Sequence, residues 1–249
     1  MIGTRFYGRM GNVLFQAAHT ISLSLKYNQE FSFPNKTDNP HWNPLYLQHL
    51  VNPKWAQGKE DFLVNENGMQ YQEIEWKEEW KDKQVVLNGY WQSWKYTDPY
   101  RDEILYLFNF PSEFKEDVCS IHARYGDYLL VRGKHIIINE PYLKNAMDLI
   151  REKTGIERFK VFSDDKKMFK EKLGHLYNFE YSTNTNEVDD LIEMSCCNSN
   201  INSSSTFSWW ASWLNKNPEK IVITPEKWFQ DGWMNMDTRD VIPPYFIKI

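Results

Sequence analysis

The sequence of 249 residues has no run of Lys or Arg that resembles a basic tail, although it contains 29 basic and 34 acidic residues. Its formal net charge is −5, and charges of both signs are interleaved along the chain. Proteins that bind nucleic acids concentrate positive charge on a patch or stripe. The sequence therefore disfavours nucleic acid as a partner.

Long hydrophobic runs are also missing. No stretch reaches the ~20 apolar residues that a transmembrane helix needs. The first residues, Met1 to Gly8, lack the apolar core of a signal peptide. We therefore expect a cytoplasmic protein without a transmembrane segment.

Cysteine is scarce, with Cys119, Cys196 and Cys197 all in apolar segments. Buried free thiols are the common outcome for such positions, and a metal or redox role for the adjacent pair is the alternative. The pattern Asp-x-Asp, which would hold a metal ion on a diphosphate, does not occur in the sequence. We therefore expect neither a metal ion nor a cofactor.

Helical and strand-like patterns alternate along the chain, which predicts an α/β fold with parallel sheets and helices on both faces. In the first half we predict a short strand closing at Arg5 to Gly8, a helix from Val13 to Asn28, a buried strand at Val85 to Leu87 and a helical stretch near 98–108. Residues 29–83 are ambiguous, and 73–83 suit a solvated helix or a loop. The second half is predicted to contain strands at 118–122, 159–163, 198–202 and 220–224, and helices at 141–152, 165–173, 187–196 and 206–215.

One loop carries three groups suited to an anionic ligand. An apolar strand stops at His122, and Arg124 and Asp127 follow it. A guanidinium fork matches phosphate oxygens in charge and geometry, which predicts a phosphate ester or diphosphate as ligand. Alternatively, Arg124 and Asp127 only pair with each other and His122 is a core histidine with satisfied hydrogen bonds.

Two shorter segments have both a functional and a structural interpretation. The glycines of Gly8 to Asn12 would let the backbone approach an anion at a helix N-terminus, but a turn without a ligand suits the pattern equally. Phe162 to Asp165 lies at the C-terminal end of a strand, where ligands of open parallel sheets bind. Asp164 is a candidate for the base or ribose of a nucleotide, whereas for the motif alone helix capping by Ser163 or Asp164 is favoured.

A cluster of hydroxyls precedes the apolar helix at 206–215. Residues Ser203 to Ser208 combine hydroxyl groups with the free amides of a helix start, which suits a diphosphate. An ordinary helix cap needs one hydroxyl. For the adjacent Trp209 and Trp210, core packing is favoured over a platform for a sugar.

Five motifs together, in this order and spacing, resemble the α-1,2-fucosyltransferases of glycosyltransferase family eleven. The resemblance extends from residue 8 to about residue 228 and is weakest between 30 and 83. The motifs are Gly8-Arg9-Met10-Gly11-Asn12-Val13-Leu14-Phe15-Gln16, Leu87-Asn88-Gly89-Tyr90-Trp91-Gln92-Ser93, His122-Ala123-Arg124-Tyr125-Gly126-Asp127-Tyr128, Phe162-Ser163-Asp164-Asp165 and Ser205-Thr206-Phe207-Ser208-Trp209-Trp210.

The resemblance implies a GT-B fold, in which two Rossmann-like domains face each other across a cleft. Residues 1–112 would form the N-terminal domain on the acceptor side. Residues 113–249 would form the C-terminal domain that binds the GDP-sugar, with the final segment packing back on the N-terminal half. The implied activity is inverting transfer of L-fucose from GDP-β-L-fucose to a galactoside hydroxyl of a glycan, with an α-1,2 linkage.

The resemblance also implies the site residues. Arg124 would grip the donor diphosphate, Asp164 would lie near the nucleoside, and the turn at Gly8 to Asn12 would face the phosphates. The candidate catalytic residues are Arg124, His122 and Asp127, and the candidate donor-binding residues are Gly11, Asn12, His122, Arg124, Ser163, Asp164, Ser205, Thr206, Phe207 and Ser208.

Two departures from the family pattern bear on activity. The family loop carries two successive arginines, whereas Tyr125 follows Arg124 here, which removes one candidate cation near the leaving group. Ser204-Ser205-Thr206 stands where the family has Asn-Ser-Thr. The competing hypotheses are a non-catalytic glycan- or nucleotide-binding homologue and an inverting transferase that uses another GDP-sugar.

Overall fold

The computed structural model describes residues 1–56, 60–131, 134–231 and 236–249. The chain divides into two compact units. Unit 1 consists of Met1–Phe110 and Met236–Pro243, and unit 2 consists of Pro111–Asn235 and Pro244–Ile249. The break falls beside Pro111, close to the boundary predicted between residues 112 and 113, and the C-terminal segment contributes to both units.

Unit 1 is built on a parallel three-stranded sheet in the order β1-β3-β2. Its central strand is an apolar run, Val85 to Leu87, and all three residues are buried, as expected for a strand covered on both faces. The elements of this unit are β1 (Ile2–Thr4), α1 (Met10–Lys26), β2 (Phe62–Asn65), β3 (Val85–Asn88), α2 (Trp94–Thr97), α3 (Arg101–Phe108) and short 3-10 turns at Pro44–Leu47, Glu78–Trp80 and Asp98–Tyr100.

The C-terminal segment of unit 1 is held by Asp240. Its side chain accepts a hydrogen bond from the Tyr71 amide at 2.9 Å and contacts Lys95 Nζ at 2.6 Å. Its carbonyl accepts from the Trp94 amide at 3.1 Å. These contacts fix Met236–Pro243 on the rest of the unit.

Unit 2 contains a parallel six-stranded sheet in the order β6-β5-β4-β7-β8-β9. Successive strands are added in one direction from β4 to β6 and in the other direction from β7 to β9. The order therefore reverses between β4 and β7, which is where open α/β sheets bind ligands. The elements are β4 (Lys115–Ala123), α4 (Gly126–Leu130), α5 (Glu140–Thr154), β5 (Arg158–Ser163), α6 (Lys166–Leu173), a 3-10 turn (Gly174–Leu176), β6 (Glu180–Tyr181), α7 (Glu187–Ser195), β7 (Cys197–Ile201), α8 (Thr206–Leu214), β8 (Val222–Thr224) and β9 (Ile247–Lys248).

Helix α5 shows why these segments fold as they do. Its buried residues Leu143, Ala146, Met147 and Ile150 follow the spacing of one helix face. The Asn139 side chain caps its start, and Gly155 ends it with φ of 71°, a backbone conformation that glycine adopts without strain.

Burial confirms two predictions about the core. All three cysteines are free and buried. Trp209, Trp210 and Trp213 are almost completely buried, and the stacked rings of Trp209 and Trp213 lie 6.2 Å apart. These tryptophans are core residues and do not form a sugar platform.

Several predicted boundaries are wrong. Strand β1 ends at Thr4 instead of reaching Gly8, and α1 begins at Met10 instead of Val13, because Gly8 makes a turn with φ of 70° just before the helix. The short α4, β2, β6 and β9 were not predicted. Residues 73–83 contain only the 3-10 turn Glu78–Trp80.

Candidate active site

The candidate site of unit 2 lies at the C-terminal ends of β4 and β7, the two strands between which the strand order reverses. The turn after β4 supplies Arg124, the first turn of α4 supplies Asp127, and the loop after β7 supplies Ser203 to Ser205. Strand β5, the other neighbour of β4, ends at Ser163 and is followed by Asp164. Parallel pairing thus brings three sequence-predicted segments to one edge of the sheet.

Arg124 is held between two carboxylates. Its Nε donates to Asp127 Oδ1 at 2.9 Å and lies 3.2 Å from Asp164 Oδ2. The side chain is 19% exposed. Burial acts to lower the pKa of Arg124, but the hydrogen bond to Asp127 and the two negative charges outweigh it and raise the pKa above its usual value. The guanidinium is therefore a permanent cation with a fixed orientation.

Asp164 links this cation to the backbone. Its Oδ1 accepts a hydrogen bond from the Tyr125 amide at 2.9 Å, while Oδ2 faces Arg124. A Cβ atom on Gly126 would lie 2.6 Å from Oδ2, so glycine at this position lets the carboxylate approach.

The expectation that Ser163 or Asp164 caps the next helix is wrong. The cap of α6 is Asp165, whose side chain accepts from the Met168 amide at 2.8 Å. Ser163 Oγ accepts from the Asp165 amide at 3.1 Å. Asp164 is thereby left to orient Arg124.

His122 is a buried histidine that joins the two loops. Its Nδ1 lies 2.7 Å from Ser203 Oγ, and its ring centroid lies 5.3 Å from that of Phe207. Burial, together with the nearby charge of Arg124, lowers the pKa of His122 to about 3. Since the imidazole is neutral at ordinary pH and only 4% exposed, the structure supports the interpretation of a satisfied core histidine.

The hydroxyls at the start of α8 have different roles. Ser205 is the helix cap, and its Oγ accepts from the Phe207 amide at 3.3 Å. Ser208 is fully buried, and its Oγ is within 3.2 Å of the carbonyls of Ser203 and Ser205. The expectation that the Ser208 hydroxyl contacts a ligand is therefore corrected: this hydroxyl shapes the turn. Thr206 and Phe207 are partly exposed at the helix start.

Tyr128 is a site residue that sequence reasoning did not select. Its hydroxyl donates to the Ser204 carbonyl at 3.0 Å, which ties α4 to the loop after β7. Its ring stacks on His135 with centroids 3.6 Å apart and lies 5.8 Å from the Arg124 guanidinium carbon. Its position in the quoted motif, one residue after Asp127, was the available signal.

Tyr125, which replaces the second arginine of the family pattern, belongs to the core. Its side chain is fully buried in the apolar cluster that includes Ile121 and Leu143. Burial raises the pKa of its hydroxyl to about 12. The side chain at this position does not take part in the exposed edge of the site.

Gly11 and Asn12 belong to unit 1. The amides of Asn12 and Val13 both donate to the Arg9 carbonyl, and Asn12 Oδ1 accepts from Gln92 Nε2 at 2.9 Å. The predicted turn therefore exists at the start of α1, with Asn12 fixed by the motif that follows β3.

The described residues bear on the predictions about metals and membranes. No group of three or more His, Cys, Asp or Glu side chains among them is placed to hold a metal ion. Within the same ranges, no helix combines the length and apolar character that crossing a membrane requires.

Comparisons with known proteins agree with the resemblance seen in the motifs. The model of glycosyl transferase family 11 matches residues 2–244. The O-antigen biosynthesis glycosyltransferase WbnK of Escherichia coli is 31% identical over 182 residues, which cover 60% of each chain. The galactoside alpha-(1,2)-fucosyltransferase 1 of Saimiri boliviensis boliviensis is 25% identical over 159 residues, which cover 53% of this chain and 43% of the monkey protein. The matched region thus spans about half the length of these relatives.

Solved structures show the same fold at low sequence identity. POFUT1 in complex with GDP-fucose matches with a TM-score of 0.53 and 11% identity, covering 88% of this chain and 96% of that chain. The fucosyltransferase NodZ from Bradyrhizobium matches with a TM-score of 0.50 and 10% identity, covering 85% and 92%. The expected fold class, α/β with parallel sheets of the GT-B type, is confirmed. The family match over nearly the whole sequence shows that the chain belongs to glycosyl transferase family 11.

Proposed function

We propose that the protein is an inverting galactoside α-1,2-fucosyltransferase that uses GDP-β-L-fucose as its donor. The observation that carries the proposal is the Arg124 guanidinium, held by Asp127 and Asp164 at the point where the strand order of unit 2 reverses. This is a preorganised cation at the position where parallel α/β sheets bind nucleotides.

The donor diphosphate would contact the outer part of the Arg124 side chain. Both carboxylates contact Nε, and we propose that the terminal Nη groups meet the diphosphate. The start of α8, with Ser205, Thr206 and Phe207, would add the positive end of a helix dipole. Unit 2 is accordingly the proposed donor-binding domain, with Ser163 and Asp164 beside the nucleoside, and unit 1 the acceptor domain.

The reaction is a single displacement. The acceptor hydroxyl oxygen bonds to C1 of fucose while the bond from C1 to the diphosphate oxygen breaks, and the electron pair of that bond leaves with GDP. Attack from the opposite face converts the β-linked donor to an α-linked product. Arg124 stabilises the charge that develops on the leaving diphosphate.

The proton of the acceptor hydroxyl needs only a weak base, because cationic help makes GDP a good leaving group. Asp127 is a candidate, since its carboxylate is 45% exposed. His122, also proposed as catalytic, is better described as a positioning residue, because it is buried, neutral and hydrogen-bonded to Ser203.

The named relatives support the finer assignment. The monkey protein is a galactoside alpha-(1,2)-fucosyltransferase, and WbnK is a glycosyltransferase of O-antigen biosynthesis. We extend the linkage and the galactose-containing glycan acceptor to this chain because the quoted motifs lie in the shared fold. We further propose that the enzyme needs neither a metal ion nor a cofactor, has no nucleic-acid partner and works in the cytoplasm.

A non-catalytic homologue is the main alternative, and Tyr125 was its sequence support. The burial of this side chain in the core weakens that support. Position 125 directs its side chain into the core, so the replacement does not remove a cation from the exposed edge of the site. The second alternative, an inverting transferase with another GDP-sugar, differs only in the donor.

Donor turnover with a simple galactoside tests the proposal. We expect the protein to release GDP from GDP-fucose in the presence of lactose and to form an equal amount of fucosylated lactose, measured by mass spectrometry. GDP-mannose in place of GDP-fucose should give little product. Binding of GDP without product from any galactoside would favour the non-catalytic homologue, and turnover of GDP-mannose alone would favour another donor.

A further inference from the structure

A row of polar side chains crosses the C-terminal edge of the unit 1 sheet. Tyr7 Oη donates to Asn88 Oδ1 at 2.5 Å, and Asn88 Nδ2 donates to Asn65 Oδ1 at 2.6 Å. The three residues follow or end β1, β3 and β2, so each strand of the sheet contributes one. These two bonds use one lone pair of the Asn88 side-chain oxygen and one N–H of its nitrogen. The same amide can therefore accept one further hydrogen bond and donate one further hydrogen bond.

Beside this row, a carboxylate fixes the turn that follows β3. The Glu66 carboxylate accepts hydrogen bonds from the amides of Tyr90 at 2.7 Å and Trp91 at 2.9 Å. A Cβ on Gly89 would lie only 2.3 Å from Glu66 Cβ, so the approach requires glycine. Trp91 has a φ of 55°, in the left-handed region that non-glycine residues rarely adopt.

The turn sends its two aromatic residues to opposite sides. Trp91 is fully buried in the core of unit 1, whereas Tyr90 is 45% exposed. The Tyr90 ring lies 6.1 Å from the Tyr7 ring, at 54° to it. The Glu66 anchor thus holds one tyrosine outward, with its ring near that of Tyr7, whose hydroxyl bonds to Asn88.

This combination suits a pyranose ring. The C–H bonds of one sugar face carry partial positive charge and pack on the negative face of an aromatic ring, while the hydroxyls need donors and acceptors of the kind that amides supply. Core packing explains Trp91 but does not explain an anchored, exposed tyrosine beside a row of amides. Solvation alone would not require a carboxylate that fixes the Tyr90 amide.

We infer that Tyr90, Asn88 and Asn65 form a subsite of unit 1 for the galactosyl ring of the acceptor. The inference rests on the proposed function and adds to it the residues that recognise the acceptor. It also gives a role to Asn88, Gly89 and Tyr90 of the motif Leu87 to Ser93. In this account Glu66 and Gly89 are positioning residues, because they act through the Tyr90 turn.

Galactoside binding should depend on the Tyr90 ring. In the presence of GDP, we expect Tyr90→Ala to raise the Kd for methyl β-galactoside at least about tenfold by NMR titration, and to raise the KM for lactose in parallel. Tyr90→Phe should recover most of this loss, because the ring is kept. The Kd for GDP should change less than about twofold. Tyr106→Ala, which removes a tyrosine that is 72% exposed on α3 of the same unit, is the matched control and should change neither quantity.

The outcomes separate this inference from the proposed function. Wild-type protein that binds galactoside through Tyr90 but makes no fucosylated product would contradict the proposed function and leave the subsite standing. Wild-type protein that transfers fucose while Tyr90→Ala keeps the wild-type KM and Kd would overturn the subsite. An equal loss of GDP and galactoside affinity in a folded Tyr90→Ala variant would also overturn it, since the effect would then be general.

Discussion

The guanidinium of Arg124 makes contacts that a lysine side chain could not reproduce. Its planar guanidinium lets Nε contact two carboxylates, and the fork carries two further nitrogens that can donate to a ligand. A lysine carries the same charge on one nitrogen, so it cannot hold Asp127 and Asp164 and also meet a diphosphate in a fork. We therefore expect the exchange of Arg124 for Lys to affect turnover strongly.

Arg124→Lys should lower kcat roughly 100-fold or more, equivalent to ~3 kcal/mol, as for the loss of one preorganised donor to a transition state. GDP affinity should fall less, because the start of α8 is unchanged. The matched control is Arg151→Lys, since Arg151 on α5 also contacts two carboxylates, those of Asp148 and Glu157. If Arg124→Lys has a lowered melting temperature but a near-normal kcat, Arg124 is a structural residue and the catalytic assignment is wrong.

His19 makes the stability of unit 1 sensitive to acid. It is 3% exposed between the rings of Trp91 and Tyr96, and within the described residues neither ring nitrogen has a hydrogen-bond partner. Burial lowers the pKa of His19 from 6.5 to about 3. Between these pH values the unfolded chain binds a proton that the folded chain excludes, so stability falls as the pH falls below 6.5.

At pH 5 this single group costs about 2 kcal/mol of unfolding free energy relative to pH 7.5. His19→Phe keeps a ring in the same place and removes the titration. The difference in unfolding free energy between pH 7.5 and pH 5, measured by urea unfolding, should therefore be about 2 kcal/mol smaller in the variant than in the wild type. His41→Gln, at an exposed position, should leave the difference unchanged, and an unchanged difference in His19→Phe would contradict the assignment.

At the scale of elements, the turn from β4 into α4 determines the geometry of the cation. The turn begins at Arg124, and its Gly126 leaves room for the Asp164 carboxylate. A methyl group at Gly126 would displace this carboxylate from both Arg124 and the Tyr125 amide. The site thus depends on contact between the loop after β4 and the residue that follows β5.

Gly126→Ala should lower kcat at least about tenfold, since small displacements of a positioned group are costly in an active site, while the unfolding free energy changes by only about 1 kcal/mol. Gly174→Ala is the matched control, because a Cβ there meets its nearest neighbour at an ordinary 3.6 Å. Steady-state kinetics and urea unfolding on the same samples give kcat and the unfolding free energy of both variants. Wild-type turnover in Gly126→Ala would show that the position of Asp164 is unimportant.

The elements also show which parts of the structure the sequence could predict. Helices such as α5 were predicted to within two residues, because a repeated apolar face and a glycine at the end determine them locally. The short strands β6 and β9 were not predicted, since two residues carry no periodic signal and their pairing depends on the neighbouring β5 and β8. The 3-10 turns in the ambiguous region were missed for the same reason.

At the site, the residue types were predictable but their contacts were not. The motif identified Arg124, Asp127 and Asp164, because charged and polar residues at strand ends suggest chemistry. Whether Asp164 caps a helix or binds Arg124 depends on the approach of two loops far apart in sequence. The burial of His122, Tyr125 and Ser208 is likewise a tertiary property, so their exposure could not be read from the motif.

At the scale of the whole molecule, the proposed function requires an acidic protein with a net charge of −5 to stabilise a leaving GDP anion. The sequence has no Asp-x-Asp pattern, and the described residues contain no cluster suited to a metal ion. We propose that Arg124 and the start of α8 supply the positive electrostatic potential.

Transfer activity should therefore survive treatment with excess EDTA, with kcat within about twofold of the untreated enzyme, a difference of less than ~0.5 kcal/mol in activation free energy. The assay is lactose fucosylation before and after chelation, with Mn²⁺ or Mg²⁺ added back to a parallel sample. Loss of activity on chelation and its recovery with a divalent metal would refute metal independence.

We propose that this chain transfers fucose from GDP-β-L-fucose to a galactoside with inversion of configuration at C1. NMR of the purified product from GDP-β-L-fucose and lactose tests it most directly, because both the linkage position and the anomeric configuration are read from one sample. We expect α-linked fucose on O2 of the galactose, with one GDP released for each linkage formed and the product greatly reduced in Arg124→Lys. Fucose at another position, retention of the β configuration, or release of GDP without a fucosylated product would contradict it.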